Sequence, residues 1–358
     1  MLYKLLYPLA EMNTFFNVFK YISFRTFGAL LTALCVYFLL GDLQIRLLQK
    51  WQIGQVVRDD GPQSHKKKSG TPTMGGLLIL FCSLTSVFLW MDLENLAVWL
   101  AILLFFLYAL IGFYDDYRKL RYGSSRGLPG KFKFLAQVCV AAVVVLPLIH
   151  YFLPDTELSF PFFKTLHPQL GGWYLPFAVL VIVGASNAVN LTDGLDGLAS
   201  GPSIMAFTTF MVLAYLSGHV KIAAYLQIPH IPGSGELSVF CGAVAGALIG
   251  FLWFNTYPAD IFMGDVGSLP LGGALGYLSI ATKNEFLLVI IGGVFVLEAV
   301  SVMTQVASFK MTGKRLFKMA PIHHHFELKG WEEPKVIVRF WIISFILALL
   351  ALSTLKLR

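Results

Sequence analysis

Charge is what this sequence has least of. Asp, Glu, Lys and Arg make up 13% of its 358 residues, against about 25% in soluble domains. That deficit, with 57% hydrophobic residues and a mean hydropathy of +0.71, excludes an ordinary soluble domain and places the chain among membrane proteins. Cysteine is scarce as well. Cys35, Cys82, Cys139 and Cys241 each sit inside an apolar run, and none stands at a metal-type spacing. They read as small buried hydrophobes, which excludes a disulfide framework and a thiolate metal cluster. A signal-peptide pattern is missing: Lys4 is followed by a short run broken at Pro8 and then by Glu11, so the first long apolar run is expected to direct insertion. There is no internal repeat and no low-complexity tract, and no nucleic-acid partner is expected.

What is present is apolar sequence in long stretches. A spanning helix needs roughly 20 mainly apolar residues. Ten runs qualify, at about 24–44, 74–91, 96–114, 133–152, 173–189, 199–217, 237–254, 267–282, 286–305 and 336–355. The predicted fold is an all-α integral membrane protein, one polytopic domain over 1–358 with ten transmembrane helices and both termini on the same side. Basic residues set the orientation. The loops after the first, third and ninth runs hold 18 of the 27 Lys and Arg residues, and the opposite loops and termini hold 8. Arg339 lies at a boundary. The first set of loops is therefore expected in the cytoplasm, with both termini external.

Two further loops on the cytoplasmic side, near 190–198 and 255–266, contain no Lys or Arg. They carry Asp193, Asp196, Asp260 and Asp265 instead. Acidic loops among basic ones suggest a metal ion beside phosphate groups. The third run ends in Asp115-Asp116, where carboxylates oppose the helix dipole by about 0.3–1 kcal/mol each. Either a solvated helix end flanked by Arg118 and Lys119 or a bound cation would offset that. The stretch Asn187 to Gly197 packs two carboxylates, two glycines and two asparagines between two runs. Such oxygen ligands suit a hard cation or a ribose; the plainer alternative is a tight turn with Asp196 or Ser200 as a helix cap. Asp265, just before the eighth run, could likewise be a cap. With Asp115, Asp116 and Asp193 on the same face, a Mg²⁺ site is the better account, since Mg²⁺ takes one or two carboxylates plus substrate phosphates.

The segment Pro321-Ile322-His323-His324-His325-Phe326-Glu327 has three adjacent histidines. Neighbours in a helix or strand point in different directions, so a three-histidine zinc site is not expected. Imidazoles among Lys310, Lys314 and Lys318 suit an anionic ligand, and an amphipathic surface helix is the alternative. Thr71 to Gly76 reads Thr-Pro-Thr-Met-Gly-Gly. Its backbone amides could face a phosphate or a base.

In order and spacing, Thr-Pro-Thr-Met-Gly-Gly, the Asp-Asp pair, Asn-x-x-Asp-Gly-Leu-Asp-Gly, Phe-Met-Gly-Asp-x-Gly-Ser and Pro-Ile-His-His-His-Phe-Glu resemble the polyprenyl-phosphate N-acetylhexosamine-1-phosphate transferases. The triple histidine followed by Phe326-Glu327 resembles the phospho-MurNAc-pentapeptide transferase branch. The resemblance covers essentially the whole chain. It implies transfer of phospho-MurNAc-pentapeptide from UDP-MurNAc-pentapeptide to undecaprenyl phosphate in the bacterial inner membrane, giving lipid I and UMP. It implies Mg²⁺ held by Asp265 and Asp193, with Asp115 as base or lipid-phosphate partner and Asp116 in support. Asn190, Asn255 and His324 are implied beside the diphosphate, and Lys68, Thr73, Gly194, Leu195, Asp196 and Phe262 in a uridine pocket. Gln305, Ala320, His323 and His325 are implied as further substrate contacts. The family commonly forms homodimers and builds a groove around a bent ninth helix, which Gly292 and Gly293 would permit here. Glu298 lies well inside the ninth run and should face protein or water. Two rivals stand beside this reading. One is a GlcNAc-1-phosphate transferase acting on the same lipid. The other is a transporter, against which the polar motifs lie in loops on one face while transporter sites lie near the midplane.

Overall fold

The computed structural model describes residues 2–51, 53–54, 70–123, 127–153, 155–163 and 166–356. Every one of the ten apolar runs contains helix. Where hydrocarbon replaces water, the backbone must satisfy its own polar groups, and a helix does so within one segment. In chain order the helices are α1 (Ile22–Lys50), α2 (Gly76–Trp90), α3 (Leu96–Arg121), α4 (Gly130–Tyr151), α5 (Tyr174–Thr192), α6 (Ser200–Gly218), α7 (Glu236–Asn255), α8 (Asp265–Ala281), α9 (Glu285–Ile291), α10 (Gly293–Thr312), α11 (Ile322–Glu327) and α12 (Glu333–Ser353). Short helices at Leu2–Leu6 and Val220–Leu226 lie outside this series. Among the described residues the extended pairings are two isolated bridges, Gly54 with Pro72 and Glu157 with Gln169.

Among the described residues, eight helices are long and apolar enough to cross a membrane: α1, α3, α4, α5, α6, α7, α10 and α12. The remaining two expected runs are shorter helices, α2 with 15 residues and α8 with 17. The ninth run is interrupted at Gly292, which ends α9 and precedes α10. The third helix continues to Arg121, well past the end of its apolar stretch.

Helices α7 and α8 form the centre. α7 packs on α1, α2 and α6, and α8 on α3 and α5. Every residue of α8 from Val266 to Ala281 is buried. Of the four cysteines, Cys82 and Cys241 are buried as expected, but Cys35 and Cys139 are exposed. A helix flank that faces hydrocarbon accepts a thiol as readily as the core does, so an apolar setting in sequence does not fix the side.

The two ends of the bundle differ in chemistry. At one end the start of α1 meets the start of α7: Arg25 donates to both oxygens of Glu236 at 2.7 and 2.5 Å. On the same end, Lys283 bonds Asp155 at 2.9 Å. The motifs named above fall at the other end, on the last turns of α3, on α11 and in the connections after α1, α5 and α7.

Candidate active site

Asp115 and Asp116 sit on the last turns of α3 and are buried, with 3% and 4% of their surface exposed. That overturns the solvated helix end as their explanation. Asp115 accepts from the Leu128 amide at 2.8 Å and pairs with Lys119 at 2.7 Å. Asp116 accepts from the Val266 amide at 3.0 Å and from Lys119 at 3.1 Å. The two aspartates therefore reach one place with different partners, as their adjacency on a helix requires.

Asp265 is the first residue of α8. The cap position belongs to Gly264, whose φ of 74° is in the region glycine favours, and no side chain caps this helix. The capping alternative for Asp265 is therefore not what the chain does. Its carboxylate accepts from Asn190 at 2.8 Å and pairs with Lys119 at 3.2 Å and with Lys133. The helix start faces α3 closely: a Cβ at Gly112 would collide with the Asp265 backbone. Glycine there lets the start of α8 sit between the two aspartates and Asn190. Together Asp115, Asp116 and Asp265 place ligand oxygens within 4.8 Å of one another, a group able to hold a metal ion.

Asp193 follows the end of α5 and is half-buried. Burial, then the negative charge of Asp265, Asp116 and Asp196, push its pKa up to about 8. So much negative charge in one place is costly unless a cation or a proton offsets it. Asn190 also donates to Ser268 at 2.8 Å, tying α5 to α8.

The turn after Asp193 is locked from below. Asn255, at the end of α7, accepts from the Gly197 amide and from Ser200, each at 3.0 Å. It donates to the Ile261 carbonyl at 2.9 Å. Asp196 accepts from the Ala259 amide at 3.1 Å. Helix α6 has no side-chain cap, so Asp196 and Ser200 bridge loops instead of capping. Leu195 is buried in an apolar cluster with Leu198, Val294, Val336, Ile337 and Phe340. Phe262 and the Thr-Pro-Thr-Met-Gly-Gly segment pair through backbone: Phe262 N to Pro72 O, and Gly75 N to Phe262 O, both 2.8 Å. Thr73 is half-buried and its amide donates to Ile53 O at 3.1 Å. Lys68 lies outside the described residues.

The histidines form the short helix α11. His323 is fully buried, which excludes a simple surface helix. His324 pairs with Glu327 at 2.7 Å. His325 accepts from the Lys318 amide at 3.1 Å, and slight burial with Lys329 and Lys318 nearby lowers its pKa. Gln305 accepts from the amides of Leu316 and Phe317 at 3.0 and 2.8 Å, holding the loop that leads to Ala320, itself half-buried. Asp115, Asp116, Asp265 and Asn190 thus converge on one spot, while Asp193, expected as a metal ligand, is not part of that three-carboxylate group. Gln305, Ala320, His324 and His325 form a second group, joined to the first where His323 packs on Gly194.

Lys119 and Lys133 complete the charge of this cluster but were not among the expected site residues: Lys119 was read as flanking the end of the third run, and Lys133 as an orientation signal. The spacing of four from Asp115 to Lys119 is a usable clue once α3 is known to continue. For Lys133 no local clue exists.

Residues 98–283 match the model of glycosyl transferase family 4, and residues 68–80 match signature 1 of phospho-N-acetylmuramoyl-pentapeptide-transferase. Proteins named phospho-N-acetylmuramoyl-pentapeptide-transferase are similar over the full length of both chains: 60% identical over 361 residues in Syntrophus aciditrophicus, 57% over 360 in Citrifermentans bemidjiense and 60% over 360 in Desulfatibacillum aliphaticivorans. Identity of that extent, on a buried aspartate cluster at one end of a helical membrane bundle, shows that the chain belongs to the phospho-N-acetylmuramoyl-pentapeptide-transferase family.

Proposed function

We propose that the chain transfers phospho-MurNAc-pentapeptide from UDP-MurNAc-pentapeptide to undecaprenyl phosphate, releasing UMP and forming lipid I. The observation that carries this reading is the convergence of Asp115, Asp116 and Asp265 with Lys119 and Lys133 at one end of an apolar bundle. Two anions must meet in such a reaction, and phosphoryl transfer depends mainly on positioning and charge neutralisation. Carboxylate and amide oxygens are the donors Mg²⁺ takes, and Asp115, Asp116 and Asp265 bring such oxygens within 4.8 Å of one another. Asp265 and Asp193 would hold the ion, with Asp115 and Asp116 within reach of Asp265. Bound there, it would offset the charge of the diphosphate.

A phosphate monoester has a second pKa of about 6, so the lipid phosphate is largely dianionic near neutral pH. One of its oxygens attacks the sugar-linked phosphorus, the bond from that phosphorus to the bridging oxygen breaks, and UMP leaves with that oxygen. Lys119 and Lys133 are placed to hold the incoming phosphate. Both Asp115 oxygens are already engaged, by Leu128 N and by the two lysines. That supports direct attack over an aspartyl-phosphate intermediate. His324, held by Glu327, would donate to the diphosphate, and the turn from Asp193 to Gly197 with Phe262 and Thr73 would take the uridine. A cavity of about 250 Å³ between α5, α8, α9 and α10 is lined by apolar residues including Leu180, Ala188, Leu288, Phe295 and Met303. It suits a polyprenyl chain running beside the interrupted ninth helix.

Purified protein should release UMP from UDP-MurNAc-pentapeptide and polyprenyl phosphate, with little or no product from UDP-GlcNAc. Lipid-linked product from UDP-GlcNAc alone would move the chain to the sister transferases.

We also propose ten crossings of the bacterial inner membrane, with the site in the cytoplasm and both termini outside. The alternation of helix ends and the site-end lysines support it. In a background without the four native cysteines, cysteine at exposed Tyr122 should label from the cytoplasmic side. Cysteine at exposed Pro232 should label from outside. Labelling of both from one side would break the ten-crossing topology.

A further inference from the structure

Glu298 lies on α10, six residues beyond the interruption at Gly292, and takes no part in the reaction as proposed. It is fully buried. Its Oε2 is 3.1 Å from Nδ1 of His323, which is fully buried too. Among the described residues, no hydrogen bond satisfies either oxygen of Glu298 or either nitrogen of His323. Among the described residues, this ion-pair contact is the only polar contact that either side chain makes. Removing one member of such a buried pair is strongly destabilising, whereas apolar side chains could fill the same space without that risk. The pair calls for a reason beyond packing.

The surroundings of His323 supply one. Its Nε2 side lies against Gly194, where even a Cβ would collide with the ring. Gly194 directly follows Asp193. On the other side the His323 ring is 4.1 Å from the ring of His324, centre to centre. A single side chain of α10 thus reaches, through one imidazole, both groups of the candidate site. The rest of that junction is apolar, formed by Leu195, Leu198, Val294 and Phe340. Apolar contact is non-directional, so it holds the parts together without fixing how they slide. An acid and an imidazole at ion-pair distance do fix it.

We propose that Glu298 is a positioning residue: through His323 it sets the register of the three-histidine helix against the Asp193–Gly194 turn, so that His324 and Asp193 face the same diphosphate. This rests on the site reading given under Proposed function. A displacement of about 1 Å at a reacting centre can cost about 10²-fold in rate, so register at this junction bears on turnover more than on substrate affinity.

The test uses full-length Glu298→Gln, His323→Asn and the double variant, with kcat, KM for UDP-MurNAc-pentapeptide and melting temperature measured on each. Glu298→Gln keeps volume and removes the charge. Its kcat should fall by about 10- to 100-fold, while KM stays within about threefold, the split expected when positioning and not binding is lost. The double variant should be no slower than the slower single one, because both changes break the same contact. Rates are read well below every melting temperature, where a merely structural role leaves kcat unchanged. A kcat near that of the parent protein in Glu298→Gln overturns the proposal, and so do losses that multiply in the double variant. Failure of the underlying site reading shows separately, as normal turnover in Asp265→Asn.

Discussion

Asp265→Asn should lower turnover by about 10²–10³-fold, the loss of one strong transition-state charge contact of about 3–4 kcal/mol, and leave the protein folded. The substitution keeps the volume of the side chain at the start of α8 and removes its charge. The fold should survive because Lys119 still pairs with Asp115 and Asp116, and the buried residues of α8 from Val266 to Ala281 keep its packing on α3 and α5. The start of a helix favours negative charge by about 0.3–1 kcal/mol, so the variant should melt only slightly lower. Assay of UMP release against Mg²⁺ concentration, with a melting curve on the same sample, checks both halves. Near-normal turnover with an unchanged Mg²⁺ dependence would remove Asp265 from the metal site.

Lys133→Met is expected to act on the acceptor. Lys133 stands on the first turn of α4, paired with Asp265 and 3.9 Å from Asp115. Methionine keeps an apolar stem and removes the ammonium. If Lys133 holds the lipid phosphate beside the aspartates, kcat/KM for polyprenyl phosphate should fall by about 10²-fold, the scale on which a charged contact to the reacting group is lost. KM for the nucleotide substrate should change little. Lys119 remains among the three carboxylates, so the site is not left without positive charge. Unchanged kinetics toward the lipid, or a loss confined to the nucleotide, would assign Lys133 to another task.

The difference between these two residues shows what the sequence could tell. Asp265 was legible because four aspartates in lysine-free loops conflict with the topology signal around them. Lys133 was not, because a lysine in a cytoplasmic loop is what orientation alone predicts; only the fold brings α4 against the start of α8. Helices were legible from apolar length; a bend in the ninth run was expected only from the family resemblance, with Gly292 and Gly293 permitting it. The end of α3 was not: hydropathy stops at the Asp-Asp pair, but the helix continues because its carboxylates find Lys119 and the Val266 amide. His323 was grouped with its neighbours as a substrate contact, and its burial against Glu298 depends on a residue 25 positions earlier in the chain.

Helix α8 carries Asp265 and is enclosed by protein along its length. Its 17 residues span about 25 Å at 1.5 Å per residue, less than the roughly 30 Å of a hydrocarbon core. A lipid-facing helix so short would thin the bilayer or tilt to meet it. An enclosed one answers to its neighbours alone. Bilayers of different thickness would therefore strain α1, α4 and α12, whose outer flanks are apolar and exposed, while the carboxylate at the start of α8 keeps its place. Hydrophobic mismatch should alter how the long-chain acceptor enters, and leave the chemical step itself insulated from the membrane around it.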